Sequence, residues 1–89
     1  MRFLSQTTQF GKDVRRMRKR GKDLEKLQAV VRKLVQREPL DARHRDHPLR
    51  GEWKYSRDCH IEPDWALIYT ADADSICLER TGTHSDLFE

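Results

Sequence analysis

Two apolar stripes at helical spacing stand back to back in the first half of the chain, and they constrain its fold more than any other feature. In the first, Phe10, Val14 and Met17 recur at i, i+4, i+7, one face of a helix that the hydroxyl of Thr7 or Thr8 is suited to cap. Gly21 closes that helix, because glycine takes a positive φ without a Cβ clash. Asp23 caps a second helix, lined on one side by Leu24, Leu27, Val30, Val31, Leu34 and Val35, and Pro39 marks its stop. Two antiparallel helices joined by a tight turn need both stripes covered. Only the C-terminal half is left to cover them.

The covering material is scarce. Leu, Ile, Val and Phe make up 19 of the 89 residues, just above the level of roughly 20% below which disorder is the default. One domain over residues 1–89 with a small core is what this composition supports. Residues 41–51 read as a polar loop. Beyond it, residues 53–56, 59–61, 65–70 and 75–81 favour strands, and residues 3–5 make a further short one. Asp72-Ala73-Asp74 turns the last two strands into a hairpin, and Pro63 interrupts the ladder before Trp65. A short tail ends in Leu87 and Phe88. The expected fold is α+β: two N-terminal antiparallel helices packed on one face of a small, mainly antiparallel, twisted sheet.

The net charge of +3 conceals a division. Residues 1–57 hold 17 Lys and Arg against 7 Asp and Glu, whereas residues 58–89 hold 1 against 8. No apolar run approaches the roughly 18 residues that cross a bilayer, and the N-terminus lacks the apolar stretch of a signal peptide. Two cysteines, Cys59 and Cys77, are too few for a disulfide scaffold, so a cytoplasmic protein with reduced thiols is expected, a single bridge between them remaining open. Lys12, Arg15, Arg16, Arg18, Lys19, Arg20 and Lys22 crowd one short segment and point to a polyanionic partner bound in a salt-dependent way. Trp53, Tyr55 and Trp65 are available to stack on bases, and Lys54 and Arg57 to meet phosphates. Charge alone separates neither DNA from RNA nor binding from cleavage.

The chemistry sits on the strands. Alternation over Asp58-Cys59-His60-Ile61-Glu62 places Asp58, His60 and Glu62 on one face and Cys59 and Ile61 on the other. The first face then presents a histidine between two carboxylates, away from the helices, either as a solvated surface or as a site. His44, His47 and His84 lie in loops or at strand ends, where functional groups concentrate. The spacing of His and Cys matches no recurrent zinc pattern, so neither a metal nor a cofactor is expected. Arg80 shares the parity of Ile76 and Leu78, so either a bulge or strong twist is needed to free it from the core face.

The segments His47-Pro48-Leu49, Trp53-Lys54, Arg57-Asp58-Cys59-His60-Ile61-Glu62-Pro63-Asp64-Trp65 and Glu79-Arg80-Thr81-Gly82-Thr83-His84-Ser85-Asp86-Leu87-Phe88 together resemble the YafQ branch of the RelE/ParE toxin superfamily. The resemblance spans nearly the whole chain. It implies a RelE-like fold and a type II toxin that cleaves messenger RNA on the translating ribosome and is silenced by a cognate antitoxin. Contact with operator DNA would come only through that antitoxin. It also carries site roles onto His47, His60, Asp64, Arg80, His84 and Phe88. RNA cleavage without a metal needs a base for the ribose 2′-OH, a cation for the crowded phosphorane and an acid for the departing 5′-oxygen. On this reading His84 is the acid, and His60 or Asp64 is the base or orients it. Arg80 clamps the phosphate, and His47 positions RNA or assists proton transfer. Phe88 and Trp65 hold a base, although Leu87 and Phe88 also suit pinning the tail. The alternatives are a ParE-like inhibitor of DNA gyrase without catalysis and a basic nucleic-acid-binding module, since a shared fold decides nothing about activity.

Overall fold

The computed structural model describes residues 1–88. Its elements in order are β1 (Phe3–Gln6), α1 (Thr8–Lys19), α2 (Leu24–Val35), β2 (His47–Pro48), β3 (Arg57–Glu62), β4 (Trp65–Ala71), β5 (Ser75–Gly82) and α3 (His84–Phe88). The strands form one sheet in the order β1-β5-β4-β3-β2, antiparallel except for the parallel pair β1–β5. The α+β arrangement is as the periodicities imply.

Local chemistry sets the helix ends. The Thr7 hydroxyl caps α1 by accepting from the Phe10 N–H, and the Asp23 carboxylate caps α2 by accepting from the Glu25 N–H. At the end of α1, Gly21 takes φ 83° while the N–H groups of Gly21 and Lys22 return to the carbonyls of Arg18 and Met17. The same pair of bonds closes α2, but around Arg37 at φ 60°, whose N–H and that of Glu38 reach Leu34 and Lys33. The helix therefore stops ahead of Pro39, at an arginine in a left-handed conformation that costs a residue with a Cβ about 1 kcal/mol.

The main core lies between the helices and one face of the sheet. Phe10, Met17, Leu27, Val30 and Leu34 meet Cys59, Ile61, Trp65, Leu67, Tyr69, Ile76 and Leu78 there. A second, small cluster on the opposite face joins Ala66, Ile68 and Leu87, with Leu49 and Trp53 packed against it. Three expectations change. Residues 53–56 are not a strand, because Trp53 closes a 3₁₀ turn (Gly51–Trp53) that lets its ring cover the second cluster. The 41–51 loop contains a 3₁₀ turn (Ala42–His44) and the edge strand β2. The tail is the short helix α3, held by a reciprocal cap in which Asp86 accepts from the Thr83 N–H and the Thr83 hydroxyl accepts from the Asp86 N–H. Cys59 and Cys77 are free thiols on β3 and β5 with β4 between them and three residues out of register, so they stand more than two strand spacings, about 10 Å, apart, outside disulfide reach.

Candidate active site

β3 supplies the base of the site. Asp58 and His60 are two residues apart and share the sheet face opposite α1 and α2, where they register with Ile68 and Ala66 of β4. β2 adds His47 directly opposite Asp58. The alternation that predicted this face fails one residue later. His60 pairs with Ala66 and Glu62 with Trp65, so a bulge turns Glu62 away, toward the helices, where Lys22 and Lys26 bind its carboxylate at 2.9 and 2.8 Å. The histidine thus has one carboxylate partner in the site rather than two.

That partner is buried. The Asp58 side chain is 8% exposed, and its Oδ2 stands 3.8 Å from Nε2 of both His47 and His60. Its Oδ1 is buried and accepts no hydrogen bond from the described residues. Burial pushes the Asp58 pKa up, against the opposing pull of His60 and His47. The ring nitrogens are sorted by the backbone. Nδ1 of His47 meets the carbonyl of Arg45 at 2.6 Å, and Nδ1 of His60 meets that of Pro63 at 3.2 Å. A carbonyl only accepts, so each Nδ1 carries a hydrogen, and in the neutral ring each Nε2, facing Asp58, is the proton-accepting nitrogen. His44 is tied behind them, its Nδ1 donating to the carbonyl of His60 at 2.6 Å.

α3 completes the site. Five residues are too few for an isolated helix, so its position is imposed from outside. Leu87 sinks into the second cluster, Asp86 makes a bidentate pair with Arg20 at 2.6 and 3.1 Å, and Asp64 accepts the His84 N–H at 3.1 Å. Held this way, α3 presents His84 and Phe88 to a cavity of about 380 Å³, their rings 5.2 Å apart. His47, Leu49, Asp58, His60, Pro63 and Asp64 line its other sides. The doubt over the C-terminal apolar pair resolves into two roles: Leu87 is buried and pins the tail, and Phe88 is 38% exposed at the cavity.

Three expected residues stand away from the cavity, and a fourth only borders it. Trp65 adjoins the cavity but is fully buried in the main core, its indole N–H donated to the Thr81 hydroxyl at 2.9 Å, so its ring is not presented for stacking on RNA. Arg57 precedes Asp58 and so points to the other face, where it pairs with Asp46 at 3.1 Å. Lys54 lies in the turn before β3 with its ammonium 5.0 Å from the Tyr55 ring. Arg80 is freed from the core face by a bulge, since Ile68 pairs with Arg80 and Tyr69 with Leu78, leaving Glu79 over. Its guanidinium does not line the cavity. It makes a side-on pair with Asp13 of α1, 2.7 Å from Nε and 3.2 Å from Nη2. No group of three His, Cys, Asp or Glu side chains among the described residues is placed to hold a metal ion.

Sequence reasoning passed over two carboxylates that organise this region. Asp58 was legible only as a neighbour of His60. Asp13 carries a clearer signal: Phe10, Asp13 and Met17 fall at i, i+3, i+7, which puts a lone acid on the apolar face of the most basic helix. A charge on such a face requires partners from elsewhere in the fold.

Comparison with known proteins agrees with this architecture. The sequence model of a family described as bacterial toxin of type II toxin–antitoxin system, YafQ, matches residues 2–89. The mRNA interferase toxin YafQ of Escherichia coli K12 is 46% identical over 88 residues, covering 98% of this chain and 96% of that protein. The toxin chain in the crystal structure of the E. coli DinJ–YafQ toxin–antitoxin complex superposes with a TM-score of 0.93 at 45% identity, over 99% of this chain and 98% of that one. YafQ from E. coli BL21(DE3), crystallised alone, gives 0.95 at 43% identity with both chains fully covered.

Proposed function

The chain belongs to the YafQ family of bacterial type II toxin–antitoxin toxins, and from that membership we propose that it is an endoribonuclease cutting messenger RNA on the translating ribosome. The observation that carries the reading is the convergence of three imidazoles, His47, His60 and His84, on one cavity with a buried carboxylate behind two of them. A protein that acted by binding alone has no use for such a set of proton-transfer groups.

The chemistry runs on these side chains. His60 takes the 2′-OH proton at Nε2 and becomes an imidazolium beside Asp58, whose charge favours that product. The 2′-oxygen attacks phosphorus, the bond to the 5′-oxygen breaks, and His84 protonates the departing oxygen. A 2′,3′-cyclic phosphate and a 5′-hydroxyl result. Of the two base candidates, geometry supports His60. The Asp64 carboxylate is occupied by the backbone N–H of His84, which makes it a positioning residue for the acid. His47, half exposed at the cavity mouth, holds RNA, and Phe88 stacks on a base. Arg80, held outside the cavity by Asp13, supplies fixed positive charge beside the site rather than a contact with the phosphorane.

A cognate antitoxin restrains this activity and links the toxin to operator DNA, an acidic segment being the complement of the basic helices. The site of action is the cytoplasm, where ribosomes are. No helix among the described residues is long and apolar enough to cross a membrane. Primer extension on transcripts translated in the presence of the protein tests the reading. Discrete cuts should appear and fall about 10²–10⁴-fold in His84→Ala. The absence of cuts with the wild-type protein would sink the proposal.

A further inference from the structure

Asp13 is more heavily bound than holding a helix on a sheet requires. Its carboxylate is fully buried and accepts from Arg80 Nε and Nη2, Arg16 Nη2 at 2.8 Å, Gln9 Nε2 at 3.1 Å and the Thr81 N–H at 3.2 Å. Burial would raise its pKa, but the bonds from Arg80, Gln9 and Thr81 outweigh that and hold it below the usual carboxylate value. Two guanidiniums therefore converge on one carboxylate, both through Oδ1; Asp86 also attracts both but is itself paired with Arg20, so these three arginines and two carboxylates leave one positive charge over. Both arginines stay partly exposed, at 39% for Arg16 and 23% for Arg80. Nη1 of each makes no hydrogen bond among the described residues, and Arg16 Nε is buried and unpartnered. Planar forks fixed on one edge and open on the other match the geometry of a phosphodiester. The location fits too. Arg20, one turn beyond Arg16 at the end of α1, binds Asp86 of α3, the helix that carries His84, and Thr81 on Asp13 lies three residues before His84.

We propose that Arg16 and Arg80 form a two-arginine site for an RNA backbone phosphate on the rim beside His84, with Asp13 as the residue that positions both. Arg16 is the added arm, and Asp13 acts only through the two guanidiniums. This rests on the endoribonuclease reading for its ligand, yet it is tested by binding alone, so the two can fail separately.

The probe is a 2′-O-methyl RNA oligonucleotide, which cannot be cleaved, titrated into the full-length protein while the arginine Nε–H resonances are followed by NMR. The signals of Arg16 and Arg80 should shift together. Arg16→Gln should weaken binding about tenfold at low salt and lower the slope of log affinity against log salt by about 0.7, one phosphate contact on a single strand. Arg32→Gln, on the α2 face bordering α1, removes the same charge and should leave that slope nearly unchanged. In Asp13→Asn the affinity should fall, and adding Arg16→Gln should not lower it further, a coupling that a purely structural carboxylate would not produce. If Asp13→Asn does not fold, the wild-type resonances and the Arg16 and Arg32 variants decide the matter. Equal slopes for those two variants, or Arg16 and Arg80 signals that move with polyglutamate but not with RNA, would overturn the proposal.

Discussion

Leu87 is where the architecture of the site can be tested without touching any group that meets RNA. It is 8% exposed and packs into the small second cluster with Ala66, Ile68, Leu49 and Trp53, away from the main core. Truncating a buried leucine to alanine costs about 2–5 kcal/mol, and a cluster this small places the change near the lower end, about 2–3 kcal/mol. At 1.4 kcal/mol per tenfold, the docked-to-undocked ratio of α3 should fall about 30- to 150-fold in Leu87→Ala. The helix carries His84 and Phe88, so the site loses its acid whenever α3 lifts. Two measurements follow this event. Hydrogen exchange at the residue-87 amide, which bonds the Thr83 carbonyl at 3.2 Å, should accelerate by a comparable factor. Cleavage in a reconstituted translation reaction should drop with it, while exchange at Leu27 and Leu67 amides in the main core changes far less. Leu87→Met, which keeps the volume, should restore both. Wild-type exchange at residue 87 together with wild-type cleavage in Leu87→Ala would refute the claim that this side chain positions the site.

Three further outcomes follow from the same geometry. Trp65→Phe removes the N–H given to the Thr81 hydroxyl and should cost about 1–3 kcal/mol in a denaturant melt; an RNA affinity that also fell would contradict the placement of Trp65 in the core. Asp58→Asn should cut cleavage about tenfold or more, because the imidazolium formed at His60 loses its counter-charge. Since burial raises the Asp58 pKa, its ionised form is penalised in the fold at neutral pH. The variant should therefore be at least as stable as wild type there, and the difference should shrink as acid protonates Asp58, which chemical denaturation at several pH values would show. Asp13 and Asp86 carry the opposite sign. Arg20 and Thr83 hold Asp86 well below the usual carboxylate range, and Asp13 is likewise lowered. Their contribution is present above an unfolded pKa of about 3.9 and is lost as pH falls through the folded values. Asp86→Asn should thus lose less stability than wild type on acidification, measured as the shift in denaturant midpoint.

The starts of the first two helices, the end of the first, the strand content after residue 56 and the motif residues were all legible in the sequence; the second helix instead closes at Arg37, ahead of the Pro39 stop that the sequence suggests. Each depends on a few neighbouring positions: apolar spacing, a threonine or aspartate before a helix, a glycine after it. The doublet Leu87-Phe88 was legible only as two alternatives, because one aromatic suits both packing and stacking. The Thr83-x-x-Asp86 pattern of a capped helix was present and unread, which is why the tail looked irregular.

The two bulges were beyond such reasoning. A single extra residue at Ile61 turns Glu62 out of the site, and one at Glu79 lifts Arg80 off the core face. Strand alternation has a period of two, so one added residue reverses every assignment after it, and what favours the bulge is pairing with another strand. Burial decided Trp65 in the same way, since nothing local distinguishes a tryptophan that covers the core from one that meets a base. The carboxylates depend most on the fold. Asp13 acquires its meaning from Arg80 and Thr81, 67 and 68 positions away, and Asp58 from His47 on a neighbouring strand. By itself the sequence determined the helices, the strands and the inventory of proton-transfer groups, because local sterics and periodicity act over a few residues. Only the tertiary structure decided which charges face one another, because the cost of burying a charge is met by partners that the chain brings together from a distance.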